Sequence, residues 1–206
     1  MSSSAEQTDG RRARGVDKRE QILDAAAGLI GRAGYAAAST RAIAAAADVP
    51  LSLVHYHFGS RGGLLTSVLE RENDRLLERQ RELFAGPGSL AGRWRVAAAY
   101  LDEDLASGYV RMLWELWAAG LSDPVLAERW RASVDGWIEL IEETIGAWAY
   151  EHDRQLPLPA GTLASLVAIV YHGIEASLLA DGGRDLRGYR ALLATIGDLI
   201  ERFEAD

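Results

Sequence analysis

The chain has 206 residues and no cysteine, so disulfide bonds and thiolate chemistry are excluded. About half of the residues are hydrophobic and a quarter are charged, as in ordinary globular proteins with one large or two small domains. The net charge of −8 argues against nucleic acid as a partner, but residues 1–65 carry a balance of +2 and the remainder carries −10. This asymmetry is typical of a nucleic-acid-binding module joined to an acidic domain, or of a solvated charged face, and charge alone leaves both open.

The N-terminus lacks the basic and then apolar pattern of a signal peptide, and no apolar run approaches the roughly 18–20 residues of a membrane span. We expect residues 1–15 to form a disordered basic arm, since Arg11, Arg12 and Arg14 lie in a polar stretch. These features predict a cytoplasmic protein with no membrane partner.

Apolar residues recur at helical spacing along the whole chain, and no segment shows the period-2 alternation of strands. The pattern predicts an all-α fold of about nine helices: 17–32, 40–47, 50–58, 60–84, 90–107, 110–121, 125–152, 162–179 and 186–203. The second and third helices are very short and only a few residues separate them, which is the arrangement of a helix-turn-helix motif.

Residues 51–61 read L-S-L-V-H-Y-H-F-G-S-R, which suits a metal site, a catalytic site, a buried aromatic patch or a nucleic-acid contact. A shared metal is disfavoured because His55 and His57 are two residues apart and point about 200° away from each other on a helix. The chain has no H-E-x-x-H, G-x-S-x-G or phosphate-loop motif. Tyr and His side chains can bond phosphate oxygens, so the stretch favours a DNA contact, although part of the Tyr56 ring could pack on the first helix.

Three segments in order carry a family likeness: R-E-Q-I-L-D-A-A-A-G-L-I-G-R-A-G-Y, A-S-T-R-A-I-A-A-A-A-D-V and L-V-H-Y-H-F-G-S-R-G-G-L-L. Over about residues 17–70 the chain resembles the TetR (tetracycline-repressor-like) family of bacterial transcription regulators. The resemblance implies a homodimer with an N-terminal helix-turn-helix DNA-binding domain, placed at 16–62. It also implies a C-terminal ligand-binding and dimerisation domain, placed at 63–206.

Matched position by position, the resemblance implies that nine residues bind DNA: Thr40, Arg41, Leu51, Ser52, Leu53, His55, Tyr56, His57 and Arg61. One departure from the family pattern is the pair Gly62-Gly63, where an acidic residue commonly follows the arginine. Glycines in a first helical turn cost about 1 kcal/mol each, so we expect a mobile start to the fourth helix.

All six tryptophans lie beyond residue 90, and most should belong to the core. Carboxylates inside apolar helical segments are costly unless paired or functional, which singles out Glu115 and Glu175. His172 shares a helix face with Glu175, and the two could simply pair. The candidates for a pocket that takes an apolar or aromatic molecule are Trp114, Glu115, Trp117, Trp137, His172 and Glu175.

The last two helices, 162–179 and 186–203, are too apolar to face solvent, so we expect them to form a two-fold dimer interface. We predict a ligand-responsive DNA-binding regulator, a repressor released from a double-stranded operator by a small-molecule effector, with no metal or other cofactor and no enzymatic activity. One alternative is a small all-helical enzyme with Glu115, His172 and Glu175 as an acid-base set. Another is a helical adaptor whose basic N-terminal run binds a protein or a membrane.

Overall fold

The computed structural model describes the backbone of residues 3–182 and 186–205, and the side chains of residues 17–182 and 187–205. Within these ranges the chain forms nine α-helices and one short 3-10 turn, which confirms the all-α prediction. The elements are α1 (Ser3–Ala33), the 3-10 turn (Tyr35–Ala37), α2 (Thr40–Ala46), α3 (Leu51–Phe58), α4 (Arg61–Ala85), α5 (Leu90–Ser107), α6 (Tyr109–Gly120), α7 (Pro124–Glu151), α8 (Ala160–Asp181) and α9 (Leu186–Ala205).

The first helix differs from its prediction. The sequence predicts a disordered arm over residues 1–15 and a helix from about Asp17, whereas α1 is helical from Ser3. Extending an existing helix avoids the costly nucleation step, and the added segment includes three arginines and two alanines, which favour helices. Residues 1 and 2 lie outside the described backbone.

The chain divides into two compact units. The first comprises Met1–Arg71 and Arg111–Ala127, and the second comprises Glu72–Val110 and Glu128–Asp206. The first unit therefore takes in residues beyond 62 and a later segment that contains most of α6. The predicted domains at 16–62 and 63–206 stay a prediction.

The first unit has one continuous apolar core. Each of its helices contributes fully buried side chains: Ile22, Leu23, Ala26 and Ile30 from α1, Ile43 from α2, Val54 from α3, Leu64, Leu65, Val68 and Leu69 from α4, and Met112 and Leu116 from α6. Helices as short as α2 and α3 are marginal alone, so this burial is what keeps them folded.

The turn between α2 and α3 has a defined geometry. Asp48 adopts the left-handed conformation at φ 48°, its N–H donates to Ala45 O at 3.2 Å, and Val49 N–H donates to Ala44 O at 3.0 Å. This is the Schellman pattern, which satisfies the last carbonyls of α2 and turns the chain sharply into α3. At the other end of α2, the Ser39 hydroxyl accepts from Ala42 N–H and caps the helix.

In the second unit, α5 packs closely on α9. The indole N–H of Trp94 donates to Leu193 O at 2.7 Å in a buried position. Gly197 lets the two helices approach, because a Cβ there would lie 3.1 Å from Trp94 Cδ1. The Glu204 carboxylate accepts from Leu90 N–H and Ala91 N–H, where the first turn of α5 favours negative charge.

Helix α8 is more apolar than the sequence prediction allowed. It is 22 residues long, and an 18-residue window of it has the length and mean hydropathy, 1.7, of a membrane-crossing helix. His172 and Glu175 interrupt the apolar run in the sequence, but the mean hydropathy of the window stays high despite them. Only 28% of that window is buried within the chain.

The two glycines that open α4 differ in their surroundings. A Cβ on Gly63 would collide with the carbonyl oxygen of Phe58, the last residue of α3. A Cβ on Gly62 would meet only the Ser60 hydroxyl, at an ordinary 3.7 Å. Gly63 is therefore needed for the tight passage from α3 to α4, and Gly62 is not.

We expect Gly62→Ala to raise the free energy of unfolding by about 0.5–1 kcal/mol, because alanine favours the helix. Gly63→Ala should lower it by about 1–3 kcal/mol, because the backbone of Phe58 must move. Urea denaturation followed by circular dichroism measures both. A stabilising Gly63→Ala would contradict the close approach.

Candidate functional site

Helix α3 exposes one polar face. Ser52, His55 and Tyr56 are spaced at three and four residues, so they share this face, and all three are exposed. Tyr56 is 81% exposed, so the structure does not pack its ring on α1. Val54 points the other way and is buried in the core of the first unit. We refer to Ser52, His55 and Tyr56 as the exposed face of α3.

The other predicted contacts on α2 and α3 are less accessible. Arg41 on the first turn of α2 is exposed, while Thr40, Leu51 and Leu53 are half-buried. A half-buried leucine at the start of α3 can contribute to apolar contact, such as with a thymine methyl, while still anchoring its helix.

The two histidines of α3 have different environments. His55 is exposed, and its Nδ1 lies 3.3 Å from the carbonyl oxygen of Gly59, just past the end of α3. When Nδ1 donates to that carbonyl, Nε2 is the nitrogen left for a partner. His57 is half-buried, and its Nε2 is enclosed with no hydrogen-bond partner in the described part of the chain. The structure therefore does not bring His57 onto the exposed face of α3.

Arg61 holds the connection between α1 and α2. Its Nη2 donates to Tyr35 O at 2.7 Å, its Nε donates to Ala38 O at 2.9 Å, and its guanidinium lies 4.1 Å from the centre of the Tyr35 ring. The resemblance implies that Arg61 binds DNA, but these contacts already use much of its guanidinium. Arg61 thus fixes the loop that leads into the helix-turn-helix.

Glu115, a predicted pocket residue, holds the same loop from α6. Its Oε2 accepts the backbone N–H of Tyr35 at 3.0 Å, and Arg111 lies 3.9 Å from Oε1. Gly34 provides the space, since a Cβ there would lie 3.0 Å from Glu115 Oε1, and its φ of 84° favours glycine in any case. The N–H and the C=O of Tyr35 are therefore bound by side chains from α6 and α4.

The second unit contains a cavity of about 540 Å³ with largely apolar walls from α4, α5, α7, α8, α9 and the loop before α8. Aliphatic residues dominate the walls, and aromatic rings are contributed by Phe84, Trp94, Trp137, Tyr171 and Phe203. The volume lies in the range of about 300–1,000 Å³ that is usual for small-molecule sites. No aspartate or glutamate is among the residues that line this cavity.

Of the six predicted pocket residues, Trp137 lines this cavity and the other five do not. Trp114, Glu115 and Trp117 belong to the first unit, where the two indoles meet edge to face at 5.2 Å. His172 lies behind the wall, with its ring 5.7 Å from that of Trp137.

Burial keeps three titratable groups of the second unit, Tyr109, Tyr171 and His172, uncharged near neutral pH. Burial lowers the pKa of His172, so its imidazole is neutral. Burial, and then the negative charge of Glu175, raises the pKa of the Tyr171 phenol. Burial and the carboxylates of Asp104 and Glu175 raise the pKa of Tyr109 in the same way. Glu115, the remaining member of the acid-base set considered from the sequence, belongs to the first unit.

Two functional positions were missed in the sequence. Gln80 lines the cavity but lies between Arg79 and Arg81, and this context is typical of a solvated surface. The available signal was its spacing of three from Leu77 and four from Phe84, which places it on their face of α4. The role of Tyr35 rests on its backbone groups, for which no sequence signal exists.

Residues 22–68 match the model of the family described as "Bacterial regulatory proteins, tetR family". The matched segment begins at Ile22, a buried residue of α1, passes through the helix-turn-helix and ends within α4. This match assigns residues 22–68 to a TetR-type segment.

A curated relative agrees with this assignment. The HTH-type transcriptional repressor KstR of Rhodococcus jostii is 40% identical over 60 residues, which cover 29% of this chain and 28% of the relative. The similarity therefore spans little more than a quarter of the relative's length.

Solved structures of transcription regulators share the fold over most of the chain. A Rhodococcus sp. protein described as a TetR-family transcriptional regulator superposes with a TM-score of 0.77 at 22% identity, covering 90% of this chain and 98% of that one. The transcriptional regulator FadR of Bacillus subtilis, in complex with stearoyl-CoA, gives 0.72 at 16% identity, covering 88% and 96%. At these identities the likeness establishes the fold.

We expect Glu115→Ala to lower the free energy of unfolding by about 1–2 kcal/mol, because Tyr35 N–H loses a charged acceptor. Glu115→Gln keeps an acceptor oxygen and should lose less. Urea denaturation measures both, with Glu103→Ala, at an exposed position of α5, as the control for removing a carboxylate. Equal stability of Glu115→Ala and the parent would show that this hydrogen bond does not hold the loop.

Proposed function

We propose that the chain is a ligand-responsive transcription regulator that represses by binding a double-stranded DNA operator as a homodimer. An apolar small molecule bound in the cavity of the second unit would release it. The protein acts in the cytoplasm, where DNA and a diffusible effector are both accessible. This proposal uses the exposed face of α3 for DNA and the last two helices for the dimer.

The observation that carries the proposal is the exposed face of α3 within a family-matched helix-turn-helix. An exposed serine, histidine and tyrosine on one side of a short helix can reach base edges and phosphates in a major groove. Arg41 adds a positive charge beside the N-terminus of α2, where phosphate is also attracted by the helix dipole. The repressor name of the curated relative supports the sign of regulation.

The dimer is supported by an uncharged stripe on α8. The exposed residues of this helix follow one another at three- and four-residue spacing and include no charge: Thr162, Leu166, Ile169, Gly173, Ser177 and Ala180. On α9, Leu192 and Leu199 are also exposed. Small and apolar residues in a continuous stripe suit close contact with a second copy. A two-fold dimer also pairs two recognition helices, each weak alone, on successive half-sites.

The effector is supported by the cavity and by the family. The cavity has the size and the apolar, aromatic walls of a small-molecule site. Effector binding would favour release only if the effector binds the released conformation more tightly than the DNA-bound one. Screening compounds against the DNA complex would find molecules that meet this condition.

We expect purified protein to bind DNA from upstream of its own gene more tightly than a scrambled duplex, as measured by fluorescence anisotropy over a range of salt concentrations. Arg41→Ala should weaken this binding about tenfold and reduce the salt slope by about one. Tyr56→Ala should weaken it by a similar factor through lost contacts of the phenol.

Arg81→Ala is the matched control, because it removes an exposed arginine from the distal part of α4 and should leave the affinity unchanged. Equal binding of both duplexes would leave only non-specific charge attraction, unless selection from random DNA recovers an operator elsewhere. If neither duplex binds at low salt, the simple repressor mechanism is wrong.

We expect Ile169→Glu to convert the protein to a monomer in sedimentation velocity, because it places a charge in the middle of the uncharged stripe. Ile169 is 67% exposed and does not line the cavity, so the subunit should still fold. Val125→Glu is the control, since Val125 is 59% exposed and lies on α7. Dimers of Ile169→Glu as stable as those of the parent would exclude this interface.

A further inference from the structure

Gln80 is the polar residue that stands out in the cavity wall. It is 7% exposed and lies on α4 among aliphatic and aromatic neighbours. In the described part of the chain no hydrogen bond to its side-chain amide is found, and its amide atoms are not among the fully enclosed polar atoms. A residue this buried, with an amide still accessible, presents that amide to the cavity.

Among the other polar groups of the wall, Arg93 Nε, Trp137 Nε1 and the Tyr171 hydroxyl are fully enclosed, with no hydrogen-bond partner among the described residues. Three further groups are already hydrogen-bonded. The hydroxyl of Thr144 donates to Leu140 O at 2.7 Å within its own helix. The Nη2 of Arg93 donates to Gly86 O at 2.8 Å, and the indole of Trp94 donates to Leu193 O. These side chains hold the scaffold, whereas Gln80 has both donors and an acceptor to offer.

A buried amide without a partner is unfavourable, so a ligand that supplies one has an advantage over a pure hydrocarbon. We propose that the cavity binds an uncharged, largely hydrocarbon molecule whose single hydroxyl or carbonyl group hydrogen-bonds to the Gln80 amide. This inference rests on the proposed function, because it specifies the effector of the same cavity. It makes Gln80 the residue that selects the polar group of the effector.

The charge of the wall argues for a neutral ligand. A cation would find no carboxylate among the lining residues. An anion would have Arg93 as its one charged partner there, and that guanidinium already donates to the carbonyl that follows α4. A charged group moved from water into apolar surroundings requires a dedicated partner. The neutral amide of Gln80 is a better partner for a hydroxyl or a carbonyl group than for a charged group.

The test uses two hydrocarbon bodies, dodecyl and 2-(1-naphthyl)ethyl, each with a hydroxyl, a carboxylate or an ammonium group. Binding is followed by quenching of tryptophan fluorescence, since Trp94 and Trp137 line the cavity. We expect at least one hydroxyl compound to bind, and to bind at least tenfold more tightly than its carboxylate and ammonium counterparts.

Gln80→Met keeps the side-chain volume but removes the hydrogen bond, and should weaken the hydroxyl compound about tenfold. Thr195→Val, which removes a hydroxyl bonded within its own helix α9 and outside the cavity wall, should change the affinity less than twofold. Circular dichroism and the thermal midpoint verify that both variants fold.

Three results would overturn the inference: no hydroxyl compound binds, the carboxylates bind more tightly, or Gln80→Met binds the hydroxyl compounds as well as the parent. The operator assay separates this outcome from failure of the proposed function. Selective DNA binding without binding of the probes rejects the effector chemistry alone. Binding of the hydroxyl probes without selective DNA binding rejects the proposed regulatory function and retains the proposed ligand site.

Discussion

The recognition helix is eight residues long, and a helix of that length does not persist in water without external support. Its orientation depends on the buried face of Val54 and on the loop that leads into α2. That loop is fixed at one residue, Tyr35, whose N–H is bound by Glu115 and whose C=O is bound by Arg61. The proposed DNA-binding surface, made of exposed side chains, thus depends on groups that do not themselves face outward.

The sequence could predict the helices because apolar spacing and the turn residues act locally. The exposed face of α3 follows from the same spacing, and the DNA contacts of Ser52, His55 and Tyr56 on it stay a prediction. His57 differs because its position, one residue further along, rotates its ring toward the core. Arg61 was assigned to DNA because its type and place fit that role, while its contacts to the Tyr35 loop depend on the tertiary fold.

The contacts of Glu115 and Gln80 do not follow from their local sequence. A carboxylate in an apolar segment signals a buried or paired group, but its partner lies 80 residues away in sequence, at a backbone atom. At Gln80 the charged sequence neighbours suggest a solvent-exposed position, although the residue is buried. Helix α4 contains both Arg61 and Gln80, so one helix contributes to the DNA-binding unit and to the cavity. Changes at either position are therefore best judged with both DNA and ligand assays.

Gly34 has a consequence for how this sequence can diverge. Its positive φ excludes most residues, and the Glu115 carboxylate occupies the space where a side chain would begin. Replacement of Glu115 by a smaller residue would free the space but would not relax the backbone. Position 34 should therefore remain glycine in descendants of this protein even where residue 115 is replaced. Replacement of Gly34 while Glu115 is retained should be rare.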